Sequence, residues 1–308
     1  MFAATLLMLF ANGYRFKFHP FLISKTGNIL ATFIPTDATL SVDGSYFSNS
    51  SPARVRALFP GQHQISLSAP GYISYDRQLM IEPQQTAFVS DINLILDKSV
   101  DMAGPTNFIA TTSTSPILRS TIAGHDISLA TSTQTGTEIS IDGSPATRDL
   151  GAGSWSIANG DTNLFGIIHA DRDQIDFRSW NTPDITSFVL PGHSVEPHIF
   201  KSAHSLFAIS NFELWRVDSD KKTAELVYRF SKPLVQVLPI QNTMLVLVRL
   251  PDQIVAFHIG DRHYIPTPLA TDPHIVEMHM SADGTTLEYT TKNQNNDGYT
   301  AYTRQIST

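Results

Sequence analysis

From residue 20 onward no segment sustains the i, i+3, i+4, i+7 apolar stripe of an amphipathic helix, and short alternating runs take its place. Thr39–Val42, Gln64–Ser68, Asn163–His169 and Met244–Arg249 are examples, rich in Val, Ile, Thr and Leu and bounded by Gly, Pro, Asn and Asp. Four Asp-Gly pairs, at Asp43-Gly44, Asp142-Gly143, Asp283-Gly284 and Asp297-Gly298, supply the positive φ that tight hairpins require. A chain punctuated this way folds as strands and turns, so the fold class is all-β.

Beyond residue 106 the runs become periodic. Five strand pairs recur: His125–Ala130 with Thr137–Ile141, Asn163–His169 with Gln174–Trp180, Ser205–Ser210 with Glu213–Val217, Met244–Arg249 with Gln253–Ile259, and Thr285–Thr291 with Tyr299–Gln305. Their apolar starts near Ile127, Leu164, Leu206, Leu245 and Leu287 lie about 40 residues apart, a spacing that points to a β-propeller-like domain of about five repeats over 106–308. The first strand of each pair is aliphatic and reads as the inner one. The second carries aromatics, Phe177 and Trp180, Trp215, Phe257, Tyr299 and Tyr302, and reads as lying further out. No Trp-Asp or kelch signature marks the repeats, and two β-sandwiches are the competing architecture. Residues 98–108 read as a polar linker with Gly104-Pro105.

Residues 30–97 have a different texture. Pro35, Thr36, Asp37 and Ala38 precede the strand and turn at Val42, Asp43 and Gly44; Ser51-Pro52 follows. A turn at Phe59, Pro60, Gly61, Gln62 and His63, then Gly71-Tyr72 and a closing Asn93–Leu96 strand, complete the order. This series resembles the PEGA domain, a small β-sandwich-like module of envelope proteins, with Thr36-Asp37 standing where the family has Glu-Gly. The alternation expects Val42, Ile65, Leu67, Tyr72 and Leu79 on an inward face, with the Tyr72 ring plugging one end. The resemblance implies a bacterial extracytoplasmic scaffold.

Residues 1–18 begin with the uncharged apolar run MFAATLLMLFA, followed by Tyr14, Arg15, Phe16 and Lys17. As a helix its 11 residues reach roughly 16 Å, about half a hydrocarbon core. The segment reads as a short apolar helix, part of a truncated membrane anchor, with the aromatic and basic residues as its interfacial belt.

Composition narrows the function. Charged residues make up 16% and the net charge is −7, which argues against a basic nucleic-acid binder and leaves no nucleic-acid partner expected. The chain has no cysteine, which excludes disulfides, thiolate zinc sites and cysteine nucleophiles. His258, Asp261 and His263, and His169, Asp171 and Asp173, are the best metal-like clusters, but they lack a ligand spacing and read as turn residues; His193, His198 and His204 read the same way. The turn at Asp283-Gly284 and the run Asn293–Gly298 have the composition of calcium loops without the closing Glu. A glycosidase would need carboxylates on inner strands, where only Glu288 stands; Asp176 lies on a second strand. No Gly-x-Ser-x-Gly elbow or phosphate-cradling loop occurs. No catalytic, cofactor or metal residues are therefore assigned. The expectation is a non-enzymatic, membrane-anchored envelope protein that binds envelope proteins or wall polysaccharide. A sensor ectodomain and a propeller-type carbohydrate-active enzyme are the alternatives.

Overall fold

A computed structural model of the 308-residue chain describes residues 7–8, 10–11, 13–18, 21–106, 117–122, 124–132, 136–145, 155–160, 163–169, 174–180, 186–191, 199–202, 205–240, 243–260, 266–293 and 298–307. Two compact units share it: one of Met1–Val100, His263–Ile265 and Arg304–Thr308, and a larger one of Asp101–Arg262 and Pro266–Thr303.

The smaller unit opens with residues 7, 8, 10 and 11 in helical conformation. The segment expected to flank a helix is instead a hairpin of β1 (Tyr14–Phe18) and β2 (Phe21–Lys25). Alternating aromatic and charged residues favour a pleated strand over a helix end. Two sheets follow. One orders β6 (Ala53–Leu58), β3 (Gly27–Ile34) and β9 (Thr86–Asn93), the other β5 (Ser45–Ser48), β4 (Thr39–Val42), β7 (Gly61–Ser68) and β8 (Tyr75–Ile81). Alternation sends Ile29, Ala31 and Phe33 of β3 inward to meet Leu40, Val42, Ile65 and Leu67 in one buried core. Tyr72 only leans on this core, because it sits in a bridge to Leu96 ahead of β8; Tyr75, the first residue of β8 and in phase with Leu79 and Ile81, takes the buried place at 5% exposure. The closing strand is β9 rather than Asn93–Leu96. Leu96 continues past it, and its N–H donates to the carbonyl of Ile306.

The larger unit starts with β10 (Asp101–Thr106), so the expected linker is a strand. Four antiparallel sheets then follow in chain order. They are β11 (Ile117–Ile122), β12 (His125–Ser132), β13 (Gly136–Ile141) and β14 (Ser144–Pro145); β15 (Trp155–Gly160), β16 (Leu164–His169), β17 (Gln174–Ser179) and β18 (Thr186–Pro191); β19 (Ile199–Ser202), β20 (Ser205–Ile209), β21 (Glu213–Asp218) and β22 (Thr223–Arg229); and β23 (Gln236–Pro239), β24 (Leu245–Leu250), β25 (Gln253–His258) and β26 (Thr267–Thr271). The fifth takes β27 (Ile275–Met280), β28 (Thr286–Lys292) and β29 (Tyr299–Gln305), and receives its fourth strand, β10, from the start of the unit. Five four-stranded meanders among the described residues, the last completed from the opposite end, make a β-propeller-like domain.

The five expected pairs are the second and third strands of these sheets. The strands expected to be innermost are therefore one place out: neighbouring sheets approach through their first strands, β11 to β15, β15 to β19, β19 to β23 and β23 to β27. Phe165 and Ile167 of the second sheet pack with Ile127, Leu129 and Ile139 of the first, and Phe177 and Leu190 of the second with Leu206 and Val217 of the third. Each fully buried side chain of this kind contributes about 1.5–3 kcal/mol. Polar side chains add latches. The Gln236 amide donates to the Met278 carbonyl at 2.8 Å and accepts from its N–H at 3.1 Å, and Arg249 donates to the Ile275 carbonyl at 2.8 Å. The Ser202 hydroxyl donates to the Thr243 carbonyl at 2.5 Å.

Two of the Asp-Gly turns are built alike. Asp43 and Gly44 have φ of 50° and 76°, Asp142 and Gly143 of 51° and 77°, the doubly positive pattern of a type I′ hairpin. In both, one carboxylate oxygen accepts from a backbone N–H across the ladder, of Gln64 or Asp126, each at 2.9 Å. The other oxygen meets the Nδ1 of the preceding histidine, His63 at 2.6 Å or His125 at 2.8 Å. The paired words His-Gln-Ile-Ser-Leu and His-Asp-Ile-Ser-Leu hold the same register, Ile65 opposite Val42 and Ile127 opposite Ile141. Partial burial pushes Asp43 up, but the Gln64 N–H and the His63 ring outweigh it and leave its pKa below the usual carboxylate value. The His125 ring and then the Asp126 N–H lower Asp142 likewise. Asp283-Gly284 differs: only Gly284 has positive φ, and the Asp283 carboxylate accepts from the Thr285 N–H and the Ser281 and Thr285 hydroxyls. Asp297 lies outside the described residues.

Removing the Gln236 amide strands the two Met278 backbone groups in a site of 0% exposure. Gln236→Ala is expected to cost about 1–3 kcal/mol, read as a lowered urea midpoint against wild type; an unchanged midpoint contradicts the latch. A carboxylate lowered on folding stabilises above its unfolded value near 4, and that stability is lost as pH falls through the lower folded value. Asp43→Asn should therefore melt below wild type at neutral pH, with the gap closing in strong acid. A gap of constant size from neutral pH to strong acid would rule out the charge as its cause.

Candidate functional site

The local chemistry concentrates in the third sheet of the larger unit. In a chain that is 16% charged, six of the ten residues from Arg216 to Glu225 carry charge. The hairpin of β21 and β22 gathers them, because Arg216 pairs with Glu225 and Asp218 with Thr223 in register. All of them but Lys222, together with Ser205 and Leu206 of β20, line an open, polar cavity of about 600 Å³, its wall including Asp218, Ser219, Asp220, Lys221 and Thr223.

Four of these charges form two ion pairs. Arg216 meets Glu225 at 2.6 Å across the ladder, and the Lys221 ammonium meets Asp218 at 2.9 Å, with the Lys221 N–H donating to the other Asp218 oxygen at 2.9 Å. The hydrogen bond from the Lys221 side chain, then that from its backbone, holds Asp218 below the usual carboxylate value, and the same contact raises Lys221. Asn163, just ahead of β16, donates to Asp220 at 2.8 Å and joins the second sheet to the rim. Among the described residues no histidine lines the wall, and a carboxylate lowered by a cation is the opposite of the raised one a general acid needs. Charge-paired donors and acceptors beside the hydroxyls of Ser205, Ser219 and Thr223 suit reversible recognition of a polar ligand.

Of the residues weighed from sequence, the described His258, Asp176 and Glu288 are not among those that line this cavity. His258 is buried at 1% exposure at the end of β25, while Asp261 and His263 lie outside the described residues. His169 ends β16, and its side chain, with Asp171, Asp173, His193, His198 and His204, lies outside them too. Asp176 is buried at 7% on β17, and Glu288 is exposed on β28, a second strand. Of the run Asn293–Gly298, only its two end residues are described, with the Asn293 N–H donating to the Gly298 carbonyl. Among the described residues no group of three His, Asp or Glu converges as a metal site would. The cavity itself escaped a search for catalytic motifs; the signal that marks it is local charge density.

No curated protein matches the sequence. Among solved structures, Hsv2 of Kluyveromyces marxianus is similar at 10% identity and a TM-score of 0.41, covering 85% of this chain and 68% of that one. Hsv2 of Kluyveromyces lactis is similar at 14% identity and 0.40, covering 73% and 67%, and BBS1N, in complex with ARL6DN, at 9% and 0.39, covering 84% and 82%. In the smaller unit, residues 26–94, spanning β3 through β9 and the core they share, match the PEGA domain.

Proposed function

We propose that this chain is a non-enzymatic binding and scaffolding protein of the cell envelope, facing outward from the membrane. The observation that carries the reading is the PEGA match over residues 26–94, since modules of this family are commonly extracellular or periplasmic. The propeller-like unit supplies the binding surface, and the polar cavity of its third sheet is the contact site. Its paired charges and hydroxyls suit the hydroxyl-rich surface of a wall polysaccharide or the polar rim of a neighbouring envelope protein. Catalysis is left out of the reading because each carboxylate that meets a cation there is engaged by it rather than poised to transfer a proton.

Location and binding are tested separately. The chain in intact cells should be cut by added protease and recovered with the envelope fraction; protection from protease with recovery in the cytosol defeats the location. The purified chain should be retained on isolated wall polysaccharide or envelope proteins, and Arg216→Ala with Lys221→Ala should weaken retention about tenfold or more, as expected for lost charge-assisted hydrogen bonds. Equal retention of the variant removes the cavity from the site.

A further inference from the structure

The first 36 residues contain no Asp or Glu, while Arg15, Lys17 and Lys25 all fall within them, in a chain whose net charge is −7. The same stretch exposes apolar side chains. Leu7 and Met8 are each 69% exposed, Phe10 53% and Ile23 44%. The β1–β2 hairpin sets Tyr14 opposite Lys25, Arg15 opposite Ser24 and Phe16 opposite Ile23. Strand alternation therefore puts Tyr14, Phe16, Ile23 and Lys25 on one face and Arg15 with Ser24 on the other.

The helical residues are fastened to this hairpin. The Arg15 guanidinium donates to the carbonyls of Phe10 and Tyr14 at 3.2 and 3.1 Å and lies 3.6 Å from the centre of the Phe10 ring. The Gly13 N–H donates to the Phe10 carbonyl, and Thr26 donates to the Gly13 carbonyl through both its N–H and its hydroxyl. The Lys25 ammonium stands 5.4 Å from the Tyr14 ring. Exposed aliphatic and aromatic groups interleaved with cations, free of carboxylates, are what a lipid headgroup layer selects: rings and aliphatic chains enter the boundary while cations meet the phosphates.

We propose that the described residues of 7–25, a short helical segment clamped to a β-hairpin, dock on an anionic lipid surface. No helix among the described residues is long and apolar enough to cross a membrane. The inference rests on the envelope reading for its biological setting, but its chemistry is separately testable.

The purified full chain is sedimented with phosphatidylcholine vesicles, with and without phosphatidylglycerol, at low and high salt. Binding is expected only with the anionic lipid and should fall severalfold in high salt as the charges are screened. Arg15→Glu with Lys25→Glu should abolish it, Leu7→Ser with Phe10→Ser should weaken it about tenfold or more, and Arg15→Lys with Lys25→Arg should retain it. Absence of binding, equal binding to neutral vesicles, or unchanged binding of the charge-reversed chain overturns the inference. Thermal melts of each variant separate lost binding from lost folding: a charge-reversed chain that melts as wild type and still binds is decisive against it. An envelope location in cells without vesicle binding sinks this docking surface and leaves the envelope reading standing.

Discussion

The pairing of β10 with β29 governs the larger unit. Four of its sheets are formed from consecutive strands, each of which needs a neighbouring sheet to cover its apolar face. The fifth has three local strands and takes the fourth from about 200 residues upstream in sequence. That ladder registers Asp101 with Thr303 and Thr106 with Tyr299, across a bulge at Met102 and Gly104. Because one sheet holds both ends of the unit, the clusters that join the first sheet to the second and the second to the third, and the Gln236 and Arg249 latches between the fourth and the fifth, work on a chain whose ends are already tied.

What the sequence discloses follows from burial. The second and third strands were legible because they are the most enclosed: Leu245–Val248 and Ile254–Phe257 are buried residue after residue, and continuous apolar runs bounded by turns are hard to mistake. The first and fourth strands were not. Trp155–Gly160 and Gln236–Pro239 are short or end in strand-breaking residues, and half-buried positions dilute their pattern. Asp101–Thr106 reads as a linker because Gly104-Pro105 interrupts it, yet proline is tolerated on an outer strand, where one side of the ladder needs no donor. The N-terminal hairpin was hidden by an apolar run that suggested a longer helix, since charge and hydropathy outweighed alternation in that reading.

The cavity was less visible than the fold. Motif searching looks for residue types with chemical roles, whereas the third-sheet hairpin carries a binding surface made from ordinary ion pairs, recognisable only against a background so poor in charge. His63 and His125 are fastened to the aspartates of type I′ turns, and His63 also meets the Phe59 carbonyl at 2.7 Å, so they stabilise turns rather than gather a metal. The recurrence of one His-x-Ile-Ser-Leu word, in one register, in both a PEGA sandwich and a propeller-like sheet shows a local solution that does not depend on its tertiary surroundings.

The hydrogen bond from Leu96 to Ile306 has a mechanical consequence. Leu96, near the end of the N-terminal part of the smaller unit, and Ile306, in its C-terminal part, are therefore joined although about 200 residues separate them in sequence. Tension on the chain just outside residues 96 and 306 would load that one hydrogen bond in shear between two segments far apart in sequence.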